Sequence, residues 1–294
     1  MSIRIPKPTG LIEPPSSTEL LHTKRYKVHI NKKTFILTVY ETYGSFILYL
    51  GGYRKFCVEA QIIKHNTTFE EEGNLVKVRH DVECSTDKDK DPFMEGKDTV
   101  LITRVILSYI KNTFPGVKYM EFTDTSIRKC NDGSSIELSA MKFFTDGKTW
   151  YEAHFNASIH PDSEYSYQQM STYANEKKKI TTWNEFYERF LTHVKSPLRI
   201  EDLEIIYTSS NTFQEFFSEV RRRIGIADFC TWLSTHSWFN TNFLKFVRFN
   251  TFRLTFRMDI SLFNESYTTE VMTGGWRGKT RKSKINHLPL CKRG

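Results

Sequence analysis

Alternation of apolar and polar positions sets in at Tyr26. Tyr26-Lys27-Val28-His29-Ile30 alternates, Asn31-Lys32-Lys33 makes a turn, and the apolar-rich run Thr34–Tyr40 follows. Ser45–Leu50, Phe56–Ile63 and Leu75–Val82 follow, separated by Gly51-Gly52, Asn66-Thr67-Thr68 and Gly73-Asn74. Short apolar runs with turn-rich connections predict an antiparallel meander. The period then changes. Val100, Leu101, Val105, Ile106, Leu107, Tyr109 and Ile110 cover one broad helical face, and Pro115-Gly116 stops it. Val117–Phe122 reads as a strand, Ile136–Phe144 as a helix broken at Asp146-Gly147, and Thr149–Phe155 as a further turn.

Beyond about residue 160 the pattern turns helical. Trp183, Phe186, Tyr187, Phe190 and Leu191 form a stripe, Phe213–Ile224 and Ala227–Leu233 read as helices, and Phe239, Phe243, Phe246 and Phe249 recur at helical spacing. From Phe252 to Leu262 strict alternation returns, predicting one late strand. The expected fold class is α+β: a mixed sheet with flanking helices, then a mainly helical region with one late strand. The expected organisation is an extended arm over 1–19, an α+β domain over 20–160, a helical aromatic-rich region over 161–271 and a basic tail over 272–294. The arm rests on Pro6, Pro8, Pro14 and Pro15, which remove amide donors and favour extended backbone.

Composition sharpens this picture. The chain of 294 residues is 39% hydrophobic and 26% charged, with 23 Phe, 14 Tyr and 5 Trp, enough for a large core. Its net charge of +8 is uneven: Arg277, Lys279, Arg281, Lys282, Lys284, Lys292 and Arg293 follow the last acid, Glu270, and leave the rest of the chain close to neutral. A nucleic-acid surface spread over the whole fold is therefore not expected. The tail, with Trp276 among its cations, reads as a partner-binding segment for an acidic protein groove or for phosphates. No run is long enough to cross a bilayer, and Met1–Gly10 lacks a signal-type apolar core. Cys57, Cys84, Cys130, Cys230 and Cys291 are odd in number and widely spaced without a CxxC, so free thiols in a reducing compartment are expected.

Candidate chemistry is sparse. Asp87-Lys88-Asp89-Lys90-Asp91 suggests a calcium loop, yet Pro92 stands where the turn needs glycine and lysines neutralise the acids, so a solvated loop is expected. His154 and His160 lack metal-ligand spacing, and neither a GxSxG nor a phosphate-loop motif occurs. Trp232, Trp238 and the phenylalanines to Phe256, interleaved with Lys245, Arg248, Arg253 and Arg257, admit a base-stacking surface. An amphipathic helix and strand with aromatics inward explains the same spacing and is the expectation.

The order from Ser45 to Phe155, three strands, helix, strand, helix, is similar to the core of the GNAT acetyltransferase fold. In that comparison Gly96–Phe114 is the helix that caps the acyl-CoA pyrophosphate, and Tyr151-Glu152-Ala153-His154-Phe155 resembles the family's closing motif. Gly147-Lys148-Thr149-Trp150-Tyr151-Glu152-Ala153-His154-Phe155 also looks like an element of proteins from large nucleocytoplasmic DNA viruses, a source that the basic tail fits. The resemblance implies Tyr151 as a general acid and acetyl-CoA as cofactor in an active enzyme. The departure lies at Asp91-Pro92-Phe93-Met94-Glu95-Gly96-Lys97-Asp98, where one glycine and three acids replace the family's glycine-rich phosphate loop. The expectation is a retained fold, no cofactor and lost catalysis. That makes a structural protein of a large DNA virus, a minor capsid or inner-virion component. It would reside in the virion, or in host cytoplasm or virus factory during assembly, and meet other virion proteins through residues 1–19 and 272–294. An active N-acetyltransferase using Tyr151, and a virion protein whose tail binds nucleic acid, are the alternatives.

Overall fold

A computed structural model describes residues 20–52, 55–65, 68–78, 84, 86, 97–250 and 254–272. The fold class is α+β, with a large sheet and a mostly helical C-terminal region. The chain forms two compact units, and they are not consecutive: residues 1–120 with 259–294 make the first, and 121–258 the second. The division between them falls after residue 120 and again after residue 258. The expected arm, basic tail and Asp87–Asp91 loop lie outside the described residues.

In the first unit β1 (Leu20–Ile30), β2 (Lys33–Thr42), β3 (Ser45–Gly51), β4 (Phe56–His65) and β6 (Glu72–Val78) pair antiparallel, with the short β5 (Thr68–Phe69) on β4. The meander is as the alternation predicts. Asn31 and Lys32 both take positive φ, 47° and 69°, the twist-matched geometry of a two-residue hairpin. Gly51 is obligatory, because a Cβ there would sit 2.5 Å from the Lys55 carbonyl oxygen. Helix α1 (Lys97–Thr113) buries Ile102, Val105, Ile106, Tyr109 and Ile110.

The chain's return completes this unit. Its last described strand, β12 (Thr268–Val271), pairs with β1 from Tyr26↔Val271 to His29↔Thr268. The segment before it is strapped to α1: Lys111 Nζ donates to the Ser261 carbonyl at 2.8 Å and to Asn264 Oδ1 at 2.7 Å, Arg104 pairs with Glu265, and the Ser108 hydroxyl accepts from the Glu265 amide at 2.9 Å. The sequence pattern did not predict β12. The late strand is also shorter than expected, since Thr255–Asp259 is strand (β11) while Ile260–Leu262 turns into a 3-10 helix.

The second unit holds the end of β7 (Tyr119–Thr123), the hairpin β8 (Ile127–Lys129)–β9 (Ser135–Glu137), β10 (Ser158–Ile159) paired to β11, and the helices α2 (Leu138–Asp146), α3 (Trp150–Phe155), α4 (Pro161–Ile180), α5 (Trp183–Phe186), α6 (Ile200–Ser209), α7 (Phe213–Ser234) and α8 (Leu244–Phe246). Two π-helical turns, Tyr187–Leu191 and Trp238–Phe243, continue α5 and precede α8. The two helices expected over 213–224 and 227–233 are both present within α7, separated by a kink at Gly225, whose φ of 79° and ψ of 164° only glycine adopts without strain. The aromatics expected inside are inside: Phe186, Phe213, Phe217, Trp238, Phe239 and Phe243 are all at most 2% exposed. The C-terminal end of α6 is closed by a buried cation, Lys178, whose Nζ donates to the Tyr207 and Ser210 carbonyls at 3.1 and 2.9 Å and lies 3.9 Å from the Tyr207 ring centroid. Burial holds the Lys178 pKa below its ordinary value.

The expected free thiols are replaced by two disulfides. Cys57 on β4 bonds Cys84, and Cys130 at the β8–β9 hairpin bonds Cys230 on α7, with Cα atoms 5.7 and 5.5 Å apart. Both pairs are buried, and each lies within one unit. A bond that closes 100 residues removes much chain entropy from the unfolded state. Joint replacement of Cys130 and Cys230 by alanine is therefore expected to lower unfolding stability by about 2–5 kcal/mol, read from the urea transition. Denatured protein should expose four further alkylatable thiols only after reduction.

Candidate functional site

The segment Gly147–Phe155 carries the one candidate catalytic residue, and its local structure accounts for nearly every side chain. Gly147 closes α2 in the left-handed region, φ 71°, where its amide donates to the Phe143 carbonyl. A Cβ at this position would also meet the Gln214 amide at 2.8 Å. Thr149 and Glu152 form a reciprocal capping box at the start of α3. The Thr149 hydroxyl accepts from the Glu152 amide, and the Glu152 carboxylate accepts from the Thr149 amide at 2.6 Å. Asn156, at φ 52°, ends the helix.

Between these caps, Trp150, Tyr151 and Phe155 face the core. Tyr151 is 7% exposed, and its ring centroid lies 4.3 Å from Phe122, 4.8 Å from Trp150 and 5.5 Å from Phe155. Burial, and then the nearby Asp124 charge, push its phenol far above the ordinary tyrosine range. A general acid must reach the substrate oxygen it protonates, and the ring that carries this hydroxyl is packed against three others.

Of the nearby acids Asp124 acts on Tyr151, and Glu137 and Glu152 interact electrostatically with Asp124. Asp124 is fully buried and accepts from the Ser126 amide at 3.0 Å and the Ser126 hydroxyl at 2.5 Å. Burial raises its pKa to about 6 against the pull of those hydrogen bonds, and Glu152 adds to the rise. Glu137 is raised by burial and by Asp124. The Tyr167 hydroxyl donates to Glu152 at 3.4 Å and is raised by burial and by that carboxylate. Such perturbed clusters suit acid–base work, but here the acids hold an Asx turn and a helix cap.

At the first turn of α1, where the GNAT resemblance would place a pyrophosphate, Asp98 is fully buried and pairs with Lys33 Nζ at 2.9 Å. The N-terminal field of the helix is thereby met by the protein's own carboxylate. The expected cofactor-loop residues 91–96 lie outside the described residues, as do Trp276, Arg277, Lys279, Arg281, Lys282, Lys284, Lys292 and Arg293. A cavity of about 380 Å³ lies beside the first π turn, lined by Tyr187, Leu191, Val194, Leu198 and Leu203. Its rim residue Arg199 is committed to Asp202 through two hydrogen bonds. Among the described residues no helix is long and apolar enough to cross a membrane.

Comparisons with protein families, with curated proteins and with solved structures find no match to this chain.

The Asp124 shift sets a pH dependence. Its folded pKa, about 6, exceeds the ordinary 3.8, so the folded state binds the proton more tightly. The resulting stability is complete below about pH 4 and is lost as pH rises through 6. Urea midpoints measured across that window should fall, by up to about 3 kcal/mol in unfolding free energy, and Asp124→Asn should flatten the decline.

Proposed function

We infer that this chain is a non-catalytic structural component of a large DNA virus particle, a minor capsid or inner-virion protein built on a GNAT-like domain that has lost its cofactor loop. The observation that carries the non-catalytic reading is the burial of Tyr151 among Phe122, Trp150 and Phe155. The Asp98–Lys33 pair supports it, because a phosphate at that helix start would meet a buried carboxylate. The GNAT-like reading is supported by the element order β3, β4, β6, α1, β7, α2, with the short β5 and the β8–β9 hairpin as insertions. The particle reading rests on the Gly147–Phe155 element and on the basic tail. Two buried disulfides fit a protein that must persist in an oxidising setting, as on a particle surface. In this reading residues 1–19 and 272–294 strap the folded body to neighbouring virion proteins.

Two measurements test the proposal. Quantitative proteomics of purified particles should find the chain at fixed stoichiometry, and its absence from them would remove the virion assignment. Calorimetric titration with acetyl-CoA should give no binding heat at micromolar protein. A saturable micromolar isotherm there would restore the acetyltransferase reading.

A further inference from the structure

Three segments distant in sequence bring cations onto two shared rings in the second unit. Arg248 lies 4.7 Å from the Tyr173 ring centroid, and Lys177 lies 5.3 Å from the same ring. Lys177 is also 5.3 Å from the Phe246 centroid, over which Arg189 sits at 4.9 Å. The order is Arg248, Tyr173, Lys177, Phe246, Arg189. Among the described residues none of the three cations makes an ion pair, and Arg189 and Arg248 are exposed. Glu185 feels the Arg189 charge but is bound into its own capping box with Thr182. Glu176 and Glu188 adjoin Lys177 and Arg189 in sequence, and neighbouring residues on a helix do not face each other.

Gathering like charges without a direct ion pair costs energy unless an anion joins them. Two of the three cations also stand on unusual backbone. Arg189 lies within the π turn Tyr187–Leu191, a feature frequent at functional sites. Arg248 takes φ 54°, a conformation rare outside glycine and asparagine. The turn that holds it closes with the Arg248 amide on Lys245 and the amide of buried Phe249 on Leu244. Helix α4 beneath the cluster is a second oddity: of its 20 residues only Ser163, Ala174 and Lys178 are buried. Along it Tyr165, Gln169, Tyr173 and Lys177 follow one another at spacing four, with Gln169 Nε2 donating to the Tyr165 hydroxyl at 2.6 Å. Tyr165 is 71% exposed.

We propose that this ladder is a binding surface for a single-stranded nucleic acid, with Lys177, Arg189 and Arg248 meeting backbone phosphates and the open Tyr165 ring stacking a base. The division of labour follows from the geometry. Tyr173 and Phe246 already carry cations and serve to orient them, whereas Tyr165 keeps a free face. A run of acidic side chains alone would use the cations and leave that ring uncovered, whereas a base stacks on it. The proposal does not rest on the virion reading, and it assigns to the body a contact that sequence charge alone assigned to the tail.

The test uses full-length protein and a fluorescein-labelled oligo-dT of about 20 nucleotides, read by anisotropy over a salt series. Wild type should bind at low salt. The K177Q/R189Q/R248Q variant, checked for an unchanged urea midpoint, should bind at least about tenfold more weakly, and its log–log salt slope should be shallower by about 2. Tyr165→Ala should weaken binding about tenfold with the slope unchanged. Replacing both arginines by lysine should retain most of the affinity. Binding by the triple variant equal to wild type would overturn the proposal and leave the tail as the contact. So would the absence of binding by wild type, or displacement of the oligonucleotide by polyglutamate as effectively as by unlabelled oligo-dT.

Discussion

Phe243 sits where the second unit converges. Its ring meets Phe213 at 5.0 Å, Phe217 at 5.1 Å, Phe144 at 5.2 Å and Phe239 at 5.3 Å, so α2, α7 and the second π turn are fixed against one side chain. Most of these contacts are edge-to-face, the arrangement that ring quadrupoles favour. A phenylalanine core is dense and shape-specific, and elements of poor intrinsic propensity can be held by it. The π turns illustrate this. Trp238–Phe243 departs from α-helical hydrogen bonding and still places Trp238, Phe239 and Phe243 inside. The Cys130–Cys230 bond then ties the β8–β9 hairpin to the same helix that supplies Phe217 and Trp232.

What could be read in the chain was what repeats locally. Helix α1 and the Trp183–Leu191 stripe carry a helical period that matches their buried faces, and β2 and β3 were legible as short apolar runs bounded by turns, buried over most of their length. Helix α4 carries none. Its three buried positions are serine, alanine and lysine, so no apolar stripe betrays it, although Pro161 at its start and acids in its first turn are ordinary helix signals. Strand β12 is four residues long and takes its stability from pairing with β1, which is non-local information. The cysteines misled because they were judged by count and spacing, whereas pairing across 100 residues is decided by the fold. The ladder of cations and rings was invisible for the same reason: positions 173–177, 189 and 246–248 meet only once the helices pack.

The Gly147–Phe155 element shows how a motif can be real and still be structural. Its glycine is a helix stop, its Thr149 and Glu152 a helix start, and its aromatics a core. Each part has a folding role, and the Tyr151 ring is part of that core. Charge is likewise redistributed in meaning. A body near neutrality overall can still concentrate cations at one place while spending its acids on caps and pairs elsewhere.

The return of the chain to the first unit has a consequence in time. Every residue of the second unit has been synthesised by position 258, while β1 waits for a partner, β12, that begins at position 268. A ribosome emits residues in order and domains fold as units, so the interior segment can close while the flanking sheet still lacks its edge. Strands β1 and β12 are thus the last to be joined. A nascent chain halted short of β12 would carry a finished aromatic core in one unit and a β1 without its outer partner in the other.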